Sequence, residues 1–143
     1  MPRSVFPDYA IFHVTTRGAG QIPIYREDDD RRSFLVLLGD AVQRYGLLCH
    51  AFCLMTNHYH LVVEGFRDKL SSGQQRLNGA YAQGFNGKYK RWGHLFGERF
   101  WCRTVDEEGL EEVCRYVLDN PVRAGLCERA VDWPWSACRY TLD

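Results

Sequence analysis

Two apolar runs, Leu47–Met55 and His58–Glu64, are parted by only Thr56-Asn57, and no other feature constrains the fold of this chain so tightly. Strand-like runs joined by so short a polar connection predict an antiparallel hairpin. Side chains alternate between the faces of a strand, so in His58-Tyr59-His60 the two imidazoles project from one face and Tyr59 from the other. The hairpin thus sets two imidazoles side by side near its turn. That is half of a metal site, or a pair of phosphate ligands.

The rest of the chain supplies partners for this hairpin. Ala10–Arg17 is β-branched and aromatic and ends at Gly18, which predicts a strand. Asp28-Asp29-Asp30 opens a helix over Arg31–Tyr45, whose apolar residues fall at helical spacing, with Gly46 as its stop. Lys69–Tyr89 repeats Leu70, Leu77, Ala80, Tyr81 and Phe85, but four interior glycines weaken it as a helix. Phe100–Val105 reads as a fourth strand. Asp106-Glu107-Glu108 opens a helix expected to end at Asn120, before Pro121. Trp133-Pro134-Trp135-Ser136 reads as an aromatic turn entering a short final helix. The order β-α-β-β-α-β-α is an α+β arrangement: a ferredoxin-like split β-α-β with a four-stranded antiparallel sheet and an added C-terminal helix.

The 143 residues suit one domain spanning residues 1–143, and 45% apolar content is ample for its core. No apolar stretch reaches the roughly 18–20 residues of a membrane span, and no secretory signal opens the chain, so a cytoplasmic protein without a membrane partner is expected. Six cysteines sit mostly in apolar segments and are expected to be reduced thiols. Cys49 and Cys53 share a strand face by parity, but no second cysteine pair has ligand spacing, which sets a zinc site aside.

The net charge is zero, which is not the signature of a generic nucleic-acid binder. Its distribution is uneven. Acidic residues gather at 27–30 and 106–112, and a basic stretch lies between them. Lys88, Lys90, Arg91, His94, Arg99 and Arg103 are its candidate contacts to a polyanion, interleaved with Tyr89, Trp92, Phe96 and Trp101. The plain alternative is a solvated helix surface.

Tyr116 and Asn120 lie four apart on the last long helix and so share a face. If that face meets the His58/His60 pair, two imidazoles and an amide oxygen could hold a divalent cation, Mg2+ or Mn2+, and mixed nitrogen and oxygen donors suit Mn2+ somewhat better. A free phenol has a pKa of about 10 and is a poor nucleophile in neutral water. A nearby cation would stabilise the phenolate and neutralise a phosphate under attack. Tyr81, in a helix of basic character, competes with Tyr116 for the role.

Leu54-Met55-Thr56-Asn57-His58-Tyr59-His60-Leu61-Val62 followed by Tyr116-Val117-Leu118-Asp119-Asn120-Pro121-Val122-Arg123-Ala124-Gly125 resembles the single-tyrosine HUH transposases, and among them the REP-associated tyrosine transposases. His13-Val14-Thr15-Thr16-Arg17-Gly18, Gly93–Phe100 and Trp133-Pro134-Trp135-Ser136 extend the resemblance over essentially the whole chain. It implies a ferredoxin-like fold and metal-dependent cleavage and strand transfer of single-stranded DNA beside hairpins, through a 5′-phosphotyrosine. It assigns the metal to His58 and His60, the nucleophile to Tyr116 and the third ligand to Asn120. It leaves open a monomer or a homodimer that exchanges the tyrosine helix. Two competing functions remain: a non-catalytic module that binds structured nucleic acid, and a phosphodiesterase that uses water.

Overall fold

The structure is a computed structural model that describes residues 8–97, 101–140 and 142. Five strands, β1 (Tyr9–Arg17), β2 (Leu48–Leu54), β3 (His58–Phe66), β4 (Trp101–Val105) and β5 (Ser136–Cys138), form one antiparallel sheet in the order β4-β1-β3-β2-β5. The helices are α1 (Asp28–Arg44), α2 (Arg67–Tyr89) and α3 (Leu110–Arg123). β2 and β3 are the expected hairpin, and β1 to β4 have the order of a split β-α-β fold.

The sheet is covered on both faces, which is why β1 and β3 are buried along almost their whole length. Phe12 and Val14 of β1 and Tyr59, Leu61 and Val63 of β3 pack on Phe34 and Leu38 of α1 and Leu77, Tyr81 and Phe85 of α2. Ile11, Ala51, Cys53, Met55 and Val62 face the other way, onto Cys114 and Val117 of α3. Alternation along each strand therefore divides two cores, and α3, joined by Trp133, Cys138 and Leu142, covers the second.

Asp30 ties the helical layer together. Glu27 caps α1, and Asp30 accepts from the Arg26 and Glu27 amides, from Lys88 Nζ at 2.8 Å and from Tyr89 Oη at 2.6 Å. Burial pushes its carboxyl pKa up, but these hydrogen bonds outweigh burial and hold it below the usual value.

Three local expectations change, and a fourth, the α2 helix that its glycines weakened, is borne out. The final helix is absent: Ser136–Cys138 is a fifth strand, so the sheet has five strands. Without it β2 would be an open edge. Trp133 and Trp135 fasten it there, with Trp133 Nε1 donating to Leu54 O at 3.0 Å and Leu54 N donating to Trp135 O at 2.8 Å. Next, α3 runs through Pro121 to Arg123. Proline removes the donor for the Val117 carbonyl, and Asn120 Nδ2 supplies one in its place at 3.2 Å. Third, β2 bulges between Cys49 and Ala51. The bulge turns Cys49 onto the α1–α2 face while Cys53 faces α3, so the two do not share a face. All six cysteines are free.

Finally, α2 is continuous across its glycines because its buried stripe, Leu70, Leu77, Tyr81 and Phe85, overrides their low propensity. Gly84 and Gly87 are exposed, and a Cβ built on either meets nothing within 4 Å. Gly84→Ala and Gly87→Ala should each raise stability by about 0.5–1 kcal/mol, read as a higher urea midpoint at unchanged slope.

Candidate active site

The β1–β3 register places Thr15 opposite His60 and Arg17 opposite His58. His60 Nδ1 lies 3.0 Å from His13 Nε2 and 3.0 Å from Thr15 Oγ1, and the His13 and His60 rings stack with centroids 5.3 Å apart. The His58 and His60 rings are 5.0 Å apart and nearly perpendicular, and His58 Nδ1 is 2.7 Å from Asn57 Oδ1.

All three imidazoles are held neutral at pH 7. Burial, then the charges of His58, His13, Arg17 and Arg123, pushes the His60 pKa down to about 3. Burial and Arg17 push His58 down to about 4, and burial and Arg103 push His13 down to about 4. These rings are lone-pair donors rather than cations.

α3 brings Tyr116 to the same place. Its ring is edge-on to His13 and to His60, with centroid distances of 6.0 and 6.3 Å, and the residue is 48% exposed. The Arg123 guanidinium lies 4.2 Å over the ring, and its Nη2 donates to Tyr116 O at 2.8 Å. Tyr116, His13, Thr15 and His60 face a cleft of about 520 Å³, with Arg17, Trp101 and Arg103 completing its walls. Among the described residues, no carboxylate pairs with Arg17, Arg103 or Arg123. Unpaired guanidinium groups around neutral imidazoles make a cleft suited to a phosphate.

The other candidates fall elsewhere. Asn120 turns back on its own helix, its Nδ2 donating to the Tyr116 and Val117 carbonyls and its Oδ1 accepting from Arg123 at 3.0 Å. Lys88 is bound to Glu27 at 2.6 Å and to Asp30 at 2.8 Å. Lys90 is the left-handed cap of α2, and Arg91 Nη1 donates to Asn86 Oδ1 at 2.7 Å. His94 lines a separate cleft between α2 and the loop at 93–97. Arg99 lies outside the described residues. Among the described residues of that basic stretch, Arg103 alone lines the histidine cleft. Tyr81, the competing nucleophile, is buried and donates to the Ile24 carbonyl, with its pKa raised chiefly by burial.

His13, Thr15 and Arg17 line the cleft and Arg123 stacks over Tyr116 beside it, and none of the four stands out as a site residue in the sequence. Parity alone puts His13, Thr15 and Arg17 on one face of β1. Which face this was depended on a pairing between distant segments.

The donors fit a cation in part. His60 Nε2 is buried without a hydrogen-bond partner. The Asn57 amide oxygen takes the proton of His58 Nδ1, which leaves His58 Nε2 bare. Among the described residues, no three His, Cys, Asp or Glu side chains converge as a metal cluster. A cation here would therefore complete its shell with an amide oxygen, the substrate or water. Asn120 Oδ1 already accepts from Arg123, so a cation there would share or replace that contact.

A His-x-His strand, a tyrosine-bearing helix and a phosphate-suited cleft on a split β-α-β sheet define a DNA-processing class of protein. Residues 10–120 match the model of the family described as IS200-like transposases, and the chain belongs to that family. It is a transposase by family. No curated protein sequence matches the chain. Among solved structures, it shares its fold with a REP-associated tyrosine transposase bound to a REP hairpin, at 15% identity and a TM-score of 0.75, covering 95% of this chain and 81% of that one. A candidate transposase from Deinococcus radiodurans R1 is similar at 17% identity and a TM-score of 0.57, over 82% of this chain and 95% of that one. Among the described residues, no helix is long and apolar enough to cross a membrane.

Proposed function

We propose that this transposase cuts and rejoins single-stranded DNA beside a hairpin, with Tyr116 as nucleophile. The reading rests above all on the approach of Tyr116 to His60 of its own chain, inside a cleft whose arginines meet no carboxylate among the described residues. A hairpin substrate is suggested by the DNA bound to the structurally similar REP-associated transposase. Arg17, Arg103 and Arg123 would bind and orient the phosphodiester. The Tyr116 oxygen forms a bond to phosphorus as its proton leaves, the bond from phosphorus to the 3′ oxygen breaks, and that oxygen takes up a proton. The DNA is left with a 5′-phosphotyrosine and a 3′ hydroxyl, and attack by a second 3′ hydroxyl reverses the step. His58 and His60, with Asn120 as a third donor, would hold Mn2+ or Mg2+, which when bound neutralises charge on the phosphate.

The test is incubation of the protein with hairpin DNA carrying a single-stranded flank, labelled at either end, with Mn2+ or with chelator. A covalent adduct that keeps only the label 3′ of the cut, and that disappears with chelator, is the expected result. Cut DNA without adduct would favour attack by water. Binding without any cut would favour the non-catalytic reading.

A further inference from the structure

We propose that His13 and Thr15 are positioning residues for His60, accepting the hydrogen bond from its Nδ1–H so that Nε2 keeps a bare lone pair. The significance of this role rests on the metal reading above, but its geometry does not. His60 Nδ1 is 3.0 Å from both His13 Nε2 and Thr15 Oγ1, so neither contact is incidental.

Two neutral imidazoles that meet nitrogen to nitrogen can place only one hydrogen on that line. If the hydrogen belongs to His13, the His60 proton is forced onto Nε2, where it blocks the lone pair. If it belongs to His60, both His13 Nε2 and Thr15 Oγ1 can accept it, and His60 Nε2 is open. The outer nitrogens, His60 Nε2 and His13 Nδ1, are both buried without partners among the described residues, so they do not themselves decide between the arrangements. Thr15, a second acceptor at His60 Nδ1, favours the second arrangement already in the metal-free protein, and a cation at Nε2 would select it outright. This is the usual way a ligating imidazole is oriented, through the nitrogen that does not bind the metal.

The strands are built for this contact. His13 and Thr15 alternate onto the same face of β1, and Thr15 stands directly across from His60. Trp101 packs edge-on against His13 at 5.1 Å and holds its ring in place.

The experiment reads imidazole 15N shifts of the metal-free protein and, separately, Mn2+ affinity by titration. The variants are His13→Phe, Thr15→Val, the double variant and His13→Gln, which keeps an acceptor. The expected wild-type result is a His60 protonated on Nδ1 and bare at Nε2. Each single variant retains one acceptor and should bind Mn2+ nearly as well as wild type. The double variant should shift His60 toward the Nε2-protonated form and bind Mn2+ about 10- to 100-fold more weakly. His13→Gln in the Thr15→Val background should restore most of the loss.

An Nε2-protonated His60 in wild type overturns the proposal. So does a folded double variant with the wild-type tautomer and the wild-type affinity. If the double variant does not fold, the wild-type and Thr15→Val tautomers still decide. An Nδ1-protonated His60 in a wild type that binds no Mn2+ supports the positioning role and ends the metal reading alone.

Discussion

Tyr116→Phe should abolish the covalent DNA adduct, lowering its rate by at least about 10³-fold, while leaving hairpin affinity near wild type. Removal of a nucleophile eliminates the step it performs, and residual activity then comes only from binding and orientation. The substitution keeps the ring, so it keeps the edge contacts to His13 and His60 and the guanidinium stacked above. Arg123 bonds the Tyr116 carbonyl and not the phenol, so the helix loses no hydrogen bond there. Stability should stay within about 0.5 kcal/mol of wild type, as for other surface changes. The rate is read from a denaturing gel and the affinity from fluorescence anisotropy of the labelled hairpin. An adduct of wild-type yield in the variant would falsify the assignment of Tyr116.

Much of this arrangement was legible in the sequence, and the reasons are local. The hairpin that carries His58 and His60 follows from two apolar runs and a short connection, both visible within about twenty residues. Tyr116 followed from helical spacing and from a family resemblance. What escaped depended on pairing at long range. His13 and Thr15 matter because β1 lies beside β3 in one register, and a slip of one residue would turn both away. The bulge after Cys49 defeated parity in the same way, since a single extra residue reverses every face beyond it. The final strand was hidden because three residues carry too little periodicity to distinguish a strand from a helix turn.

The basic stretch shows a different limit. Charges close in sequence suggest one surface, yet Lys88 neutralises Glu27 and Asp30 in the helical layer while Arg103 lies on the opposite face of the sheet. Arg17 and Arg123, about a hundred residues apart, come together with Arg103 around the imidazoles. Arg123 acts on Tyr116 and Asn120 at once, and the proline that should have ended the helix is what draws the Asn120 amide back onto it. Pro121 thereby sets the resting position of the third candidate ligand.

Acid should destabilise the metal-free protein well before its carboxylates titrate. His60 has its folded pKa pushed down to about 3, and His13 and His58 down to about 4, in each case chiefly by burial. In the unfolded chain the same groups titrate near 6.5. Below about pH 6.5 the unfolded state therefore binds more protons, and stability falls as pH falls. The contribution is complete above pH 6.5, is lost through the range down to about 4, and stops changing once the folded rings are protonated. One shift of this size corresponds to roughly 3 kcal/mol. The three rings titrate as a coupled set, so the total is not a sum of three separate shifts. A loss of about 3 kcal/mol or more between pH 7 and pH 4 is a large part of an ordinary domain's stability. Asp30 and Glu64, whose pKa values are lowered, add their own loss only as pH falls through the carboxylate range. Urea unfolding followed by tryptophan fluorescence, in chelator, separates the two windows. A decline already evident between pH 6.5 and 5 is expected, shallower in His13→Phe because one fewer proton is taken up. A flat profile over that interval would mean that the imidazoles are solvated in the folded protein and titrate there as they do in the unfolded chain, against the burial of His13 and His60.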